Sequence, residues 1–300
     1  MRLRHTLFAA LIAAVWGFNF VPIKVGLDDF PPLLFAALRF AFAALPAVLF
    51  VRRPPVAWRW LWLVGLPLGV GQFGLLFIGM HLGMPAGLSS VVLQTQALFT
   101  FLFAGVLLRE RITAMRAAGM AVAFSGVAVL GVVQSGGTSG PVLPFALCVA
   151  GAAMWALSNV AMRRMNETAA APVDTFGFMV WMSLVPVLPL LALSLLFEGP
   201  GALPDAVRHV TWAGAGSLAY VTYASTLFGF GAWGWLMRRY PAGTVSMYSL
   251  LVPPFGLLSA AVVLRERVTA AQLAGAALIV AGVVIAGLRA RPALVPDTPR

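Results

Sequence analysis

Ten runs of apolar residues, separated by short polar segments, cover most of the 300-residue chain. They occupy residues 6–26, 33–51, 60–80, 86–108, 114–134, 142–162, 173–197, 211–236, 242–264 and 270–288. Each run is close to the ~20 residues that an α-helix needs to cross ~30 Å of hydrocarbon. The runs do not alternate with the period of two that barrel strands require. The pattern therefore predicts an all-α integral membrane protein with ten transmembrane helices.

The chain contains an internal repeat. Residues 85–131 align without a gap with residues 241–287, at an offset of 156 and with 20 identities in 47 positions. The earlier helices repeat at an offset of 140, which aligns Asn19 with Asn159 and Pro46 with Pro186. The change in offset predicts an insertion of 16 residues between helices 7 and 8, within 198–210. A repeat at a fixed offset indicates one unit used twice.

The repeating unit has five helices, covering 6–134 in the first copy and 142–288 in the second, with a short cytoplasmic tail at 289–300. Because five is odd, the second copy must cross the membrane in the opposite direction. Such inverted repeats are found in many secondary transporters.

Composition and charge indicate how the chain is oriented across the membrane. Only 10% of the residues are charged, against about 25% in soluble domains, and the mean hydropathy is +0.95. The net charge of +11 comes from 19 arginines and Lys24. With the N-terminus inside, 15 of these 20 basic residues fall on the cytoplasmic side. This distribution predicts a multi-pass inner-membrane protein with both termini in the cytoplasm, facing lipid headgroups and not nucleic acid.

Several residues are predicted to shape the helices. Thr113 and Thr269 are expected N-caps, and Thr269 forms a capping box with Gln272. Arg109 and Arg265 are expected at helix C-termini, where the helix dipole favours a cation. Small residues at four-residue spacing predict close packing of helices 5 and 10; these are Ala117, Ala121, Ser125, Ala277 and Ala281.

Ordered short segments run through the whole chain: WGFNF at 16–20, IKVGL at 23–27, PPL at 31–33, LRF at 38–40, GMPAGL at 83–88, LQTQA at 93–97 and SLLVP at 249–253. They resemble the EamA family of the drug/metabolite transporter superfamily, nearest to its members that export O-acetylserine and cysteine. The resemblance implies ten helices in two EamA repeats, export of small metabolites and a cavity between the repeats. The second half departs from the first at polar positions, with Leu250 opposite Gln94 and Met179 opposite Arg39.

Two cations are candidate substrate-binding residues. Lys24 lies late in helix 1 and Arg39 lies early in helix 2, where a charge usually faces a cavity or a partner. Together they could hold the carboxylate of an amino acid, with Arg39 as a bidentate fork. For Lys24 an equally weighted alternative is snorkelling to the interface with an i,i+4 pair to Asp28.

Two equivalent pairs of polar and aromatic residues are further candidates. Trp16 and Asn19 share a face of helix 1, and Trp155 and Asn159 share a face of helix 6. We expect the two pairs to meet near the pseudo-twofold axis, where the amides bind substrate and the indoles close the cavity. The alternative is that the amides only hold neighbouring helices together.

The remaining candidates are uncharged and lie near mid-span. Gln72 is in helix 3, Ser90 and Gln94 share a face of helix 4, and Tyr248 is in helix 9. Gln94 and Gln96 are two residues apart and point about 160° away from each other. Only one of them can face the cavity, and Gln94 is the preferred one.

Prolines within two predicted spans suggest bending points. Pro22, Pro253 and Pro254 each remove one helical hydrogen bond and free the carbonyl four residues earlier. Freed carbonyls in a membrane must meet a neighbour, water or substrate. We predict these prolines as hinges, with a plain kink satisfied by a neighbouring helix as the alternative.

The sequence therefore predicts a secondary transporter and not an enzyme. It is expected to export small zwitterionic metabolites, such as O-acetylserine, cysteine or related amino acids, by alternating access between the two repeats. The nine acids lie outside the helix centres, which favours facilitated diffusion over a carboxylate proton relay. Alternatives are an exporter of aromatic or cationic drugs and an integral-membrane lipid-modifying enzyme, which would need a cluster of ionisable groups at one membrane face.

The motifs in the sequence also bear on partners and cofactors. The absence of a Walker motif argues against direct use of ATP. The three histidines lack metal-ligand spacing, so we predict no metal and no cofactor. The expected partners are a small-molecule substrate and membrane lipids, with no nucleic acid, and a homodimer is left open.

Overall fold

The computed structural model describes residues 1–109, 113–134, 142–169, 173–240, 244–245 and 247–287. Within these ranges all regular structure is helical. The helices are α1 Leu3–Asp29, α2 Pro32–Leu49, α3 Trp58–His81, α4 Ala86–Leu107, α5 Ala114–Gln134, α6 Val142–Thr168, α7 Thr175–Phe197, α8 212–239, α9 Met247–Val263 and α10 Ala270–Gly287. Residues 110–112 between α4 and α5, most of the loop before α9 and the predicted tail lie outside the described residues.

The predicted all-helical membrane fold is confirmed. Eight of the helices are long and apolar enough to cross a membrane by length and composition. Of the other two, α9 is a shorter apolar helix, and α8 continues through 212–239 as consecutive helical segments. The predicted insertion before α8 contains a short amphipathic helix, Ala202–His209, that the apolar pattern did not reveal.

Successive helices alternate in direction between two faces of the bundle. We call the face at which α1 begins the N-terminal face, and the other the opposite face. At the N-terminal face, His5 of α1 bonds Tyr240 just after α8. At the opposite face, the Asp29 carboxylate at the end of α1 accepts hydrogen bonds from Thr211, just before α8. These contacts show that α1 and α8 run antiparallel.

Helices α5 and α10 pack against each other through glycines. A Cβ at Gly119 would lie 2.6 Å from the Gly282 carbonyl oxygen, and one at Gly126 would lie 2.6 Å from the Gly275 oxygen. The paired numbers run in opposite directions, so the helices are antiparallel. Only hydrogen at these positions allows the backbones to approach this closely.

The small residues that the spacing predicts for this interface do not lie on the contact face of α5 and α10. Ala117, Ala121, Ser125, Ala277 and Ala281 are all exposed at the surface of the bundle. Spacing by four residues fits a stripe on either side of a helix equally well. The contact face is decided by Gly119, Gly126, Gly275 and Gly282, which are buried on the other side of the two helices.

Both halves of the chain contain helical segments that are not α-helical. A nine-residue π-helix interrupts α3 at Leu66–Gly74 and another interrupts α8 at Tyr220–Phe228. A 3₁₀ segment occurs in α4 at Leu93–Thr95, and α9 starts with one at Met247–Leu251. Such interruptions are frequent at functional sites, and these four fall at related positions of the two halves.

Three carboxylates cap helix N-termini at the opposite face. Glu198 accepts from the amides of Leu33 and Leu34 in α2, at 2.6 and 3.0 Å. Glu266 accepts from the amides of Ala86 and Gly87 in α4, at 2.7 and 3.0 Å. Asp29 holds Thr211 at the start of α8. Each carboxylate satisfies amides that have no partner within their own helix and meets the positive end of the helix dipole.

The predicted helix-end residues are confirmed. Thr113 accepts from the amide three residues later. Thr269 and Gln272 exchange the two hydrogen bonds of a capping box, at 2.8 and 3.2 Å. Arg109 and Arg265 follow the C-termini of α4 and α9, both with φ of 55°. This left-handed conformation is common just after a helix end.

Candidate functional site

Arg39 is the most deeply buried charge of the described residues, with 1% of its surface exposed. Its Nε and Nη2 atoms donate to Thr226 Oγ1 of α8, at 3.1 and 2.9 Å. The guanidinium lies over the Phe73 ring of α3, 3.8 Å from the ring centre. In the part of the chain that the structure describes, no carboxylate pairs with it, and its Nη1 atom has no hydrogen-bond partner.

The π-helical segment of α8 brings polar groups to this depth. Thr226 donates to the Val221 carbonyl, five residues earlier, at 2.8 Å. Thr222 and Ser225 of the same segment are also buried. Because a π-helix has a wider turn than an α-helix, its hydroxyls occupy positions that a regular helical pattern would not predict.

Helix α1 contacts the same segment of α8. Trp16 Nε1 donates to the Ser225 carbonyl at 3.0 Å, and the Tyr220 hydroxyl donates to the Val15 carbonyl at 2.9 Å. Asn19 follows on the same face of α1, between the helical segments Leu3–Phe18 and Phe20–Asp29. The interruption falls where Pro22 removes a helical hydrogen bond.

Four buried side chains in this region have a polar atom without a partner among the described residues. The atoms are Asn19 Oδ1, Arg39 Nη1, Gln72 Oε1 and Thr222 Oγ1. We call these four residues and Thr226 the central polar cluster. Buried polar groups are normally hydrogen-bonded, so these free atoms are candidate contacts for a ligand.

A cavity of about 720 Å³ opens at the N-terminal face between α6 and α8. It is lined by Asn159, Met162, Arg163, Asn166, Glu167 and Met237. Asn159 donates to Gln96 Oε1 of α4 at 2.6 Å. The adjacent Ser158 hydroxyl is buried without a partner. The amide that faces this cavity region from α4 is therefore Gln96, although the sequence analysis preferred Gln94.

Gln94 has a different neighbour. Its Nε2 atom donates to the Ser249 carbonyl of α9 at 3.2 Å. Pro253, four residues after Ser249, has no amide to donate to that carbonyl. Gln94 thus bonds α9 beside its predicted bending point, whereas Gln96 bonds Asn159 of α6.

Toward the opposite face, α1, α4 and α9 are in tight contact. A Cβ at Gly17 would lie 2.7 Å from the Val252 carbonyl oxygen, and one at Gly256 would lie 2.5 Å from Ser90 Cβ. The Ser90 hydroxyl donates to the Gly87 carbonyl of its own helix at 2.6 Å. The bundle is closed here, and Ser90 lies in the closing contact.

The structure does not bring Lys24 and Arg39 together. Lys24 Nζ donates to the Met80 carbonyl at 3.0 Å, at the C-terminal end of α3, where the helix dipole favours a cation. Among the described residues, Lys24 forms no ion pair with Asp28 either. In this structure each cation is directed toward a different helix, and the joint carboxylate site stays a prediction.

The two tryptophan and asparagine pairs also lie apart. Trp16 packs against Phe230 and Trp233 of α8, with ring centres 5.4 and 5.0 Å away. Trp155 packs against the main core, and its partner Asn159 bonds α4. No hydrogen bond joins one pair to the other within the described residues. Their expected meeting near a common axis is not observed, since each pair faces a different helix interface.

Tyr248 and two further prolines complete the placement of the predicted residues. The Tyr248 hydroxyl donates to Thr6 Oγ1 at 3.4 Å, near the N-terminal face. Pro253 and Pro254 lie in the first turn of the α-helical part of α9, directly after its 3₁₀ segment. At this position a missing amide costs little.

Sequence reasoning missed Phe73 and Thr226, which contact Arg39, and Thr222, which lies in the same π-helical segment as Thr226. Phe73, Thr222 and Thr226 belong to π-helical segments, where the α-helical period fails. One signal was present: the sequence YVTYAST at 220–226 is unusually rich in hydroxyl groups for a membrane span.

Many secondary transporters have interrupted helices near the centre of a membrane-spanning bundle. The EamA-like transporter family matches this chain over residues 4–132 and 143–288. The chain belongs to that family. It is therefore a multi-pass membrane transporter and not an enzyme.

Similar proteins are known in several organisms. A relative from Salmonella typhimurium, named "Probable amino-acid metabolite efflux pump", is 43% identical over 92% of both chains. A protein of the same name from Escherichia coli is 39% identical over 98% of this chain and 99% of its own. A "Probable terminal-alkyne amino-acid exporter" from Streptantibioticus cattleyicolor is 30% identical over 96% of this chain and 95% of its own.

A solved structure shares the fold. It aligns with a TM-score of 0.62 and 21% identity, and covers 95% of this chain and 96% of the other.

Proposed function

We propose that this chain exports small zwitterionic amino-acid metabolites, with O-acetylserine, cysteine and related amino acids as the specific candidates. The observation that carries the proposal is Arg39, a buried guanidinium with a free Nη1 donor. A cation at this depth is costly unless it is compensated. A substrate carboxylate would neutralise Arg39 and use its free donor, because guanidinium binds carboxylates through parallel hydrogen bonds.

The other free atoms of the central polar cluster suit the opposite end of a zwitterion. Asn19 Oδ1 and Gln72 Oε1 are acceptors without a donor. An ammonium group offers three donors and no acceptor. The names of the three relatives, which refer to amino-acid metabolites or amino acids, support the same substrate class.

Export of cationic drugs is less well supported. Arg39 repels a cationic substrate, and the described acids lie toward the two faces of the bundle. Deep cation sites in membrane proteins normally contain a carboxylate. The described part of the central region does not supply one.

For the mechanism, we propose alternating access between two inverted units, residues 6–134 and 142–288, in a bacterial inner membrane with both termini in the cytoplasm. The two family matches and the antiparallel α5–α10 contact support two units. In this arrangement the cavity beside Asn159 is open to the cytoplasm, and the contact of Ser90 with Gly256 closes the outer side. Release of substrate would separate α4 from α9.

The predicted hinges fit such a movement. Pro22 lies beside the interruption of α1, and Pro253 and Pro254 follow the 3₁₀ segment of α9. Helices bend most easily where their hydrogen-bond ladder is already broken. We propose that α1 and α9 bend at these residues.

Counterflow in proteoliposomes tests the substrate class. The assay compares labelled O-acetylserine, cysteine and other amino acids with a cationic dye. We expect Arg39→Met to reduce amino-acid counterflow at least about 30-fold, because losing one partner of a buried charged pair costs about 2–5 kcal/mol. Arg39→Lys keeps the charge but loses the fork, so it should retain part of the activity.

The matched control is Arg59→Met, which removes an exposed arginine from the N-terminal face. This variant should transport like the wild type. Dye transport without amino-acid counterflow, or full counterflow by Arg39→Met, would contradict the proposal.

A further inference from the structure

A second cavity, of about 650 Å³, lies between α1 and α8 near the N-terminal face. Its walls are largely apolar and come from Phe8 on α1 and from Leu227, Phe228 and Ala232 on α8. Phe8 packs edge-on against Phe228 and Trp235, with ring centres 6.2 and 5.9 Å away. The cavity is separate from the one beside Asn159, and the proposed transport mechanism does not use it.

Positive charges gather at the end of this cavity nearest the N-terminal face. Arg4 and His5 line it. The charges of Arg4, Arg239, Arg2 and the N-terminal ammonium all act on the His5 ring. Arg239 lies over the Trp235 ring, 4.3 Å from its centre. The apolar cavity between α1 and α8 thus ends in a group of cations at the depth expected for lipid headgroups.

These arginines differ from others on the same face. Arg164 pairs with Glu167 at 3.3 Å, and Arg238 pairs with Asp174 at 2.9 Å. Within the described residues, Arg4 and Arg239 have no carboxylate partner. Neighbouring cations without counter-charges repel each other, so an anion placed among them is stabilised.

We propose that this cavity binds an anionic phospholipid, with the phosphate of the headgroup held by Arg4 and Arg239 and an acyl chain lying along Phe8 and Leu227. The apolar walls match the acyl chain, and the cations match the headgroup. Basic pockets between transmembrane helices near the membrane surface are suited to such lipids. His5, which bonds Tyr240 at 2.5 Å, closes the end of the cavity and holds the two helices together.

Native mass spectrometry of the purified protein tests the proposal. We compare binding of phosphatidylglycerol with that of phosphatidylcholine carrying the same acyl chains. The wild type should bind phosphatidylglycerol at least about tenfold more tightly, because each nearby arginine adds about 1 kcal/mol of attraction to anionic lipid. The double variant Arg4→Gln/Arg239→Gln should lose most of this preference.

The matched control is Arg52→Gln/Arg59→Gln, which removes two exposed charges from the same face but leaves the cavity intact. It should keep the wild-type preference. Equal losses in both double variants would overturn the proposal, because they would show a general effect of surface charge. Equal binding of the two lipids by the wild type would overturn it as well. Thermal stabilisation by inorganic phosphate that matches that by phosphatidylglycerol would replace the lipid with a free anion as the ligand.

Discussion

The α5–α10 interface and the central polar cluster differ in how their helices pack in the membrane. At the interface, Gly119, Gly126, Gly275 and Gly282 let two backbones touch, and the same residues occur in both halves of the chain. In the central polar cluster, buried side chains keep free donors and acceptors, and the helices that carry them are interrupted. The α5–α10 interface is close-packed and uses the same residues in both halves of the chain. The central polar cluster has unpaired polar atoms and uses different residues in the two halves.

The difference indicates where stability and function lie. A contact made of glycine and backbone loses energy with any added atom, because protein interiors are close-packed. A cluster with unpaired polar atoms is less stable than a filled core would be, and it is kept where binding requires it. Substitutions in the two regions should therefore have opposite effects on stability.

The largest effect should come from Gly282→Val. Its Cβ would lie 2.5 Å from the Gly119 carbonyl oxygen, and the backbone cannot move away as a flexible side chain could. Overpacking of this kind costs about 3 kcal/mol or more. We expect a clear fall in the unfolding temperature measured in detergent.

Gly216→Val is the matched control, since a Cβ there meets nothing within 4 Å. Its unfolding temperature should stay near that of the wild type. An equal fall in both variants would show that the α5–α10 contact is not special.

Arg39→Met should have the reverse effect on stability. It removes a buried cation that has no carboxylate partner among the described residues, and replacing buried charges by apolar groups can stabilise by about 1–4 kcal/mol. We expect an unchanged or higher unfolding temperature together with the loss of counterflow proposed above. A strongly destabilised variant would show that Arg39 holds the fold and not the substrate.

Gln94→Leu should cost about 0.5–1.5 kcal/mol, because it removes the hydrogen bond that Gln94 Nε2 donates to the Ser249 carbonyl of α9. Restoring an amide by Pro253→Ala should recover part of that loss, since residue 253 can then donate to the same carbonyl. The two substitutions are measured singly and together, by thermal or denaturant unfolding. Strictly additive effects would argue that Gln94 does not compensate Pro253.

Glu266→Gln should have the smallest effect, about 0.5–1 kcal/mol, because it weakens the charged cap on α4 but keeps one hydrogen-bond acceptor. Chemical unfolding should detect the change. Arg267→Gln, next to it on the same loop, is the control for loss of a charge at that face. A larger loss in the control than in Glu266→Gln would argue against the capping role.

Features that depend on local sequence could be predicted well. The helices follow from apolar runs, because lipid leaves the backbone no other hydrogen-bond partners. The capping box at Thr269 and the helix ends at Arg109 and Arg265 depend on residues within a few positions. The burial of Arg39 also followed from its place in an apolar run.

Features that depend on helix rotation and on neighbouring helices could not be predicted. The alanine stripe of α5 lies on the exposed side, although its spacing equals that of a contact stripe. Thr226 turns toward Arg39 in a π-helical segment, which the α-helical period does not predict. The sequence favours Gln94 over Gln96, yet Gln96 is the residue that bonds Asn159.

The sequence by itself determined the number and order of the helices, the repeat at offsets of 140 and 156, and the membrane character of the fold. It did so because hydrophobicity and short-range hydrogen bonding act along one chain. Only the tertiary structure decided that Gln94 binds the Ser249 carbonyl of α9, that Lys24 and Arg39 turn to different helices, and that Arg39 keeps a free donor. Those outcomes depend on which faces meet across the bundle, and a contact between distant segments leaves no trace in the local pattern of either one.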